Sequence, residues 1–181
     1  MTLYNLIDLI KSDINRIDNV SLKKNRLIFL LMIIKPKFLP ILFIRLSRFF
    51  YLTKHFSYVS HLINFLNLII FGIDYTAKCN IGYGLQLPHP HGTVIGAISV
   101  GNNVTIFQGV TIGSKFVDYH FTLSARPVIG DNVILGTGAV IIGGISIGNC
   151  STIAPNSLVL TDVNENLVMM GVPAVIYSLK N

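Results

Sequence analysis

Charge is scarce in this sequence. Asp, Glu, Lys and Arg make up 12% of its 181 residues against 51% hydrophobic ones, which excludes a disordered chain because apolar burial comes easily. Mean hydropathy, +0.63, is high for a soluble protein. Cysteine is scarcer still. Cys79 and Cys150 stand far apart without metal-ligand spacing, so both read as buried thiols of a reducing compartment. Long apolar runs are missing: residues 27–34 and 62–73 fall short of the ~18 residues that a membrane span needs. Residues 1–19 mix acids and other polar side chains with apolar ones, so no secretory signal peptide is read there. Acidic groups number 8 against 14 basic ones, for a net charge of +6. Much of the positive charge precedes residue 73, interleaved with Phe and Leu. It reads as a solvated face of a helical bundle, with an anionic membrane surface or an anionic substrate as the alternative. Nucleic-acid binding has only the basic pI in its favour and no matching motif.

What is present in abundance is a beat of six. Aliphatic residues fall at Val94, Val100, Ile106 and Ile112, then at Ile129, Leu135, Ile141, Ile147, Ile153 and Val159. Glycine often follows close behind, as in Ile129-Gly130 and Ile147-Gly148. A helix repeats at 3.6 residues and a half-buried strand at 2, so neither explains this period. A left-handed parallel β-helix does: three hexads make one triangular coil, the aliphatic residue points inward, and small residues turn the corners. The expected fold class is α+β in sequence order, an N-terminal helical segment followed by a left-handed parallel β-helix with one inserted loop. Residues 1–72 form the apolar helical domain and 73–163 the β-helix. Residues 114–127 interrupt the beat as the inserted loop, and 164–181 form a C-terminal turn and tail.

Within the helical part, Thr2 is the expected N-cap of a first helix whose Leu3, Leu6, Ile7, Ile10, Ile14 and Ile17 keep helical spacing to about Asp18. Ser21 caps a second helix that reaches Ile34, and Pro40 suits the first turn of a third that reaches about Thr53. A fourth spans residues 57–71 with Gly72 as its stop. The last three are apolar almost all round, so they are expected to pack on each other, on the coils, on copies of themselves or on a membrane surface.

The hexads, the segment Asp74…Leu87-Pro88-His89-Pro90-His91-Gly92 and the closing Gly171-Val172-Pro173-Ala174 resemble the hexapeptide-repeat acyltransferases. The branch they are most similar to is the serine acetyltransferases and their relatives that O-acetylate surface polysaccharides. The resemblance covers residues from about 40 to 177. It implies direct attack of an acceptor hydroxyl on acetyl-CoA, with no acyl-enzyme and no metal. In the serine acetyltransferase pattern an Asp just after the last helix supports a His fifteen residues later, and Asp74 and His89 stand at that separation. The pairing suits the chemistry. A neutral imidazole takes the hydroxyl proton, and a carboxylate on its other nitrogen fixes the tautomer. His91 is the alternative base, and otherwise stands with Arg126 at the acceptor.

Departures from the pattern bear on that acceptor. Pro88 replaces the acid that precedes the catalytic His in the serine enzymes, and Ala125-Arg126 stands where they carry Arg-His. The expectation is therefore a sugar hydroxyl of capsule, exopolysaccharide or O-antigen biosynthesis, with L-serine as the alternative. For coenzyme A the resemblance implies Gly113, Thr137, Gly138, Pro155, Asn156 and Gly171, in a groove between neighbouring subunits. That groove implies a homotrimer or a dimer of trimers. The expected location is the cytoplasm, extending to peripheral contact of the N-terminal helices with the inner face of the membrane. Two rivals on the same coils are a metal-dependent lyase of the γ-carbonic anhydrase type, using His89, His91 and His120, and a non-catalytic scaffold. The interrupted beat argues against the scaffold.

Overall fold

The computed structural model describes residues 2–18, 35–53 and 56–179. The Thr2 hydroxyl accepts the Asn5 N–H at 3.3 Å and opens helix α1, Leu3–Asp18. Pro40 stands in the first turn of α2, Leu39–Leu52. Helix α3, Ser57–Phe71, ends at Gly72, whose φ of +64° is the left-handed stop that only glycine adopts without strain. The helix expected between Ser21 and Ile34 lies outside the described residues.

Leu6, Ile10 and Ile14 of α1 and Ile41 and Ile44 of α2 are buried in one core with the coils. Helix α3 behaves differently. It packs on α2 but leaves Tyr58, Leu62, Phe65 and Ile69, one helical face, in solvent. No helix among the described residues is long and apolar enough to cross a membrane.

From Asp74 onward the chain winds into three parallel sheets, the faces of a left-handed β-helix. The first sheet stacks Asp74–Tyr75, Val94–Ile95, Thr111–Gly113, Val140–Ile142 and Leu158–Val159. The second stacks Asn80–Ile81, Ser99–Val100, Val128–Ile129 and Ser146–Ile147. The third stacks Thr105–Ile106, Ile134–Leu135, Thr152–Ile153 and Leu167–Gly171, with Ala174–Leu179 closing it antiparallel. Paired residues of the later coils lie eighteen apart, as in Val128 with Ser146 and Val140 with Leu158. The first coil is longer, since Asp74 pairs with Val94.

The hexad residues from Val100 onward point inward and are buried. Val94 is an exception to the expected beat: Ile95, fully buried, points into the prism while Val94 faces outward, because the next coil pairs Val94 with Thr111 only seventeen residues on and the step from Ile95 to Val100 is five. The stack also runs past residue 163. Leu167 and Met169 point inward from a strand paired with Thr152–Ile153, and the turn at residues 171–174 reverses the chain.

Two corners carry left-handed residues in columns. One holds Gly84, Asn103, Asn132, Cys150 and Asn166; the other holds Gly92, Gly109, Gly138 and Asn156. Asn tolerates this region better than other non-glycine residues, which is why it alternates with glycine. At the first of these corners the side-chain oxygens of Asn102, Asp131 and Asn149 accept the N–H of Tyr83, Asn102 and Asp131, each one coil earlier.

The helices close the open end of the prism through side chains. Asp13 and Arg45, both buried, meet in two contacts of 2.8 and 2.9 Å. Arg45 also donates to the Ile81 and Gly82 carbonyls, Asp13 accepts the Leu85 N–H, and Arg16 donates to the Gly84 and Val104 carbonyls. Burial raises the Asp13 pKa above its ordinary value despite the opposing pull of Arg45. Besides pairing with each other, the two side chains satisfy backbone groups at the edge of the first coil.

Asp13→Ala is expected to cost about 3–5 kcal/mol in urea denaturation because it strands the Arg45 charge. The double variant Asp13→Leu, Arg45→Met should stay destabilised by about 2 kcal/mol or more, because backbone groups of Ile81, Gly82 and Leu85 lose their partners. Full recovery in the double variant would refute this account.

Candidate active site

The corner that joins the third sheet to the first is wider in the first coil than below it. Residues 87–93 occupy it there, against 107–110, 136–139 and 154–157 in later coils. Prolines at 88 and 90 fix the backbone on either side of His89, and the segment bends at 88–89 and again at 91–92, the His91 N–H closing back on the His89 carbonyl at 2.9 Å. Both imidazoles stand exposed on the rim. Asp74 begins the first strand beside them, its N–H bonded to the Thr93 carbonyl at 3.0 Å and its side chain outward. No hydrogen bond joins Asp74 to His89 in the single chain. The His91 ring comes near the Gly72 cap, where a β-carbon would lie 3.5 Å from its Cε1. The irregular first coil thus brings His91 and Gly92 beside Gly72 and Thr93 beside Asp74.

On the far side of the first sheet the inserted loop does not wave free. It folds back along the corner between the first and second sheets and is held there at three heights. Lys78, from the first coil, sits over the Phe121 ring at 5.3 Å from its centre. Arg126 donates to the Gly96 carbonyl at 2.9 Å, in the next coil. Further along, the Ser124 carbonyl presses on Gly144, where any β-carbon would overlap it. Arg126 anchors the loop internally as well. Its Nε donates to Asp118 Oδ2 at 2.9 Å, a terminal nitrogen donates to the Asp118 carbonyl at 3.1 Å, and its guanidinium stacks on Phe121 at 4.3 Å. Burial pushes the Asp118 carboxyl up, but the Thr122 N–H and Arg126 more than offset this and hold it below the usual range.

Between the loop and the Asp74 strand lies an open groove of about 350 Å³ on the outer face of the first sheet, lined by Asp74, Thr76, Thr111, Gly113, Ser114 and Arg126 among others. A larger groove, about 490 Å³, runs between α1, α2 and the second sheet. It has no histidine or carboxylate in its wall, and its Arg48 already donates to the Ala77 and Lys78 carbonyls. The smaller groove has both a carboxylate, Asp74, and a guanidinium, Arg126, in its wall.

The positions anticipated for coenzyme A divide. Thr137, Gly138, Pro155 and Asn156 share the histidine-bearing corner, two coils or more below His91, and Gly171 reaches the same edge by donating to Ser157 Oγ at 3.1 Å. Gly113 sits at the opposite edge of the first sheet, in the Asp74 groove, with no atom within 4 Å of its would-be β-carbon. Gly138 and Asn156 are also left-handed corner residues, so the fold requires them whatever they bind. The carboxylate that Arg126 reaches is Asp118, inside its own loop. His120 lies on that loop while His89 and His91 lie on another corner, so one chain does not bring the three together. Among the described residues no three His, Cys, Asp or Glu side chains gather as metal ligands. Gly96, Gly144 and Phe121 escaped the sequence reading, since a glycine that seats a loop looks like one that turns a corner.

Known proteins carry the same arrangement. Residues 126–161 match the family described as bacterial transferase hexapeptide (six repeats). The chain is 42% identical over 106 residues to serine acetyltransferase 2 of Arabidopsis thaliana, covering 58% of this chain and 32% of that protein. It is 34% identical over 121 residues to the serine acetyltransferase of Bacillus subtilis, covering 66% and 54%. It therefore spans about a third to a half of these curated relatives. The crystal structure of Neisseria gonorrhoeae serine acetyltransferase superposes with a TM-score of 0.85 at 26% identity, over 99% of this chain and 69% of that one. A Brucella abortus serine acetyltransferase in complex with coenzyme A gives 0.83 at 27% identity, over 99% and 70%.

Gly144→Ala should unseat the inserted loop without opening the prism. Tryptic cleavage after Lys115, followed by mass spectrometry, is expected to accelerate about tenfold or more as the local opening free energy falls. The cooperative urea midpoint should barely move, and unchanged proteolysis would refute the seating role.

Proposed function

We propose that this chain, which belongs to the hexapeptide-repeat transferases, transfers an acetyl group from acetyl-CoA to an acceptor hydroxyl, with L-serine the first acceptor to test. The observation that carries the reading is the groove with Asp74 on its floor, a histidine-bearing corner on one side and a pinned loop on the other. The serine acetyltransferases among its relatives put L-serine ahead of the sugar hydroxyl that Pro88 and Arg126 suggested from sequence. A sugar acceptor stays as the second reading, favoured by Arg126 being already paired with Asp118.

In this mechanism His89, as the neutral imidazole, takes the proton from the acceptor hydroxyl while its oxygen attacks the thioester carbonyl. The tetrahedral intermediate collapses, the C–S bond breaks, and the imidazolium returns its proton to the departing coenzyme A sulfur. Asp74 orients the ring and stabilises its charged form, closing on His89 once substrates are bound. Thr137, Gly138, Pro155, Asn156 and Gly171 offer a small-residue edge along which the pantetheine arm lies, and Gly113 leaves room beside the thioester. The groove is open to solvent on one side, so a neighbouring copy in a homotrimer supplies the facing wall.

Thiol release from acetyl-CoA by the purified chain, with and without L-serine, tests the reading. His89→Ala is expected to lower turnover by about 10²–10⁴-fold, the worth of a general base, with coenzyme A binding nearly intact. Asp74→Ala should lose less. Near-normal turnover in the His89 variant would overturn its role. Coenzyme A binding without a serine response would move the acceptor to a sugar.

A further inference from the structure

Among the described residues, Arg126 is the only cationic side chain lining the groove in front of Asp74, and the chain supplies it with a carboxylate of its own. The pair is largely withdrawn from water, the side chains being 12% and 9% exposed. It is also preorganised from several directions. The Gly96 carbonyl takes one terminal nitrogen of Arg126, and Phe121 covers the guanidinium face. Asp118 is aimed by Thr122, which donates its N–H at 2.7 Å and approaches with its hydroxyl at 3.1 Å. An ion pair fixed in this way loses little entropy on forming, so an external anion gains no advantage of preorganisation over it.

We propose that Asp118 is a specificity-determining residue: its carboxylate is a built-in occupant of Arg126, and a carboxylate-bearing acceptor reaches that guanidinium only in competition with it. The inference rests on the O-acetyltransferase reading of the groove. An acceptor hydroxyl on an uncharged molecule meets no such competitor. Asp118 therefore weakens the groove's response to free hydroxy acids and hydroxy amino acids while leaving neutral acceptors untouched. L-serine is still admitted, at the affinity that competition allows.

The test uses the full chain and Asp118→Asn, which removes the charge but keeps an oxygen for the Thr122 N–H. Asp118→Ser accompanies it in case the first variant folds poorly. Two readouts run in parallel: thiol release from acetyl-CoA with L-serine or L-serinamide, and calorimetric titration of L-serine into the coenzyme A-loaded protein. Removing the charge is expected to lower the KM and Kd for L-serine about fivefold or more, with the L-serinamide KM within about twofold. Adding Arg126→Gln should cancel the gain. Thr122→Val, which loosens the loop and leaves the charge in place, should not reproduce it. Unchanged or absent L-serine binding in both charge-removed variants overturns the inference, as does an equal change for both acceptors or the same gain from Thr122→Val. Failure of the wild type to acetylate any acceptor would instead sink the O-acetyltransferase reading, and the calorimetric comparison would still decide the role of Asp118.

Discussion

A coil of a β-helix bonds its backbone to the coils on either side, so the stack satisfies itself everywhere except at its two ends. The ends are where the structure is made possible. At the lower one, Ala174–Leu179 folds back antiparallel on Leu167–Gly171 and ends the parallel order. At the upper one no strand is available, and the work falls to side chains from helices: Asp13, Arg16 and Arg45 reach the carbonyls and N–H groups of residues 81–85 and Val104. The buried charge is tolerable there because each charged atom meets several partners at once. This explains why a chain with so few charged residues places two of them, Asp13 and Arg45, in its interior.

The same joint sets the geometry of the site. Because α3 must end at Gly72 to let the chain enter the first sheet, Asp74 is fixed at the top of that sheet. The first coil, on which the helices rest, is also longer than the later ones, and its surplus residues form the wide 87–93 corner with both histidines. A regular eighteen-residue coil, like those from Val128 onward, has no spare chain for such a corner. The candidate site therefore sits at the first coil because that is where regularity fails.

How much of this was legible in the sequence follows from what a period can encode. Inward positions repeat, so the residues from Val100 to Val159 were readable, as were the helix boundaries marked by Thr2, Pro40 and Gly72. A period carries no information where it breaks. The shift from Val94 to Ile95 belongs to the irregular coil, and the last inward residues, Leu167 and Met169, follow a step of two along a longer strand. Left-handed corners were readable where glycine marks them but not at Cys150, whose φ of +59° nothing in its identity announces. For the candidate site, Asp74, His89 and Arg126 were singled out by their positions in a motif. What Arg126 touches was hidden, because a carboxylate eight residues earlier reaches it only once the loop folds back on itself.

On the proposed reading, the loop is where fold and acceptor choice separate. Coil residues are constrained twice over: inward ones by packing, corner ones by backbone conformation. Little of the coil surface can change without disturbing the prism, and Gly138 and Asn156 illustrate this because the corner needs them before any ligand does. Residues 114–127 largely escape both constraints, since Thr111 and Val140 pair 29 residues apart, eleven more than an eighteen-residue coil needs. Yet this loop is not loose. Lys78, Gly96 and Gly144 hold it from separate coils, so it brings Arg126, braced by Asp118 and Phe121, to the groove as a fixed wall. A segment largely in excess of what the fold needs, held this firmly against the Asp74 groove, is on the proposed reading the part of the chain that chooses what enters.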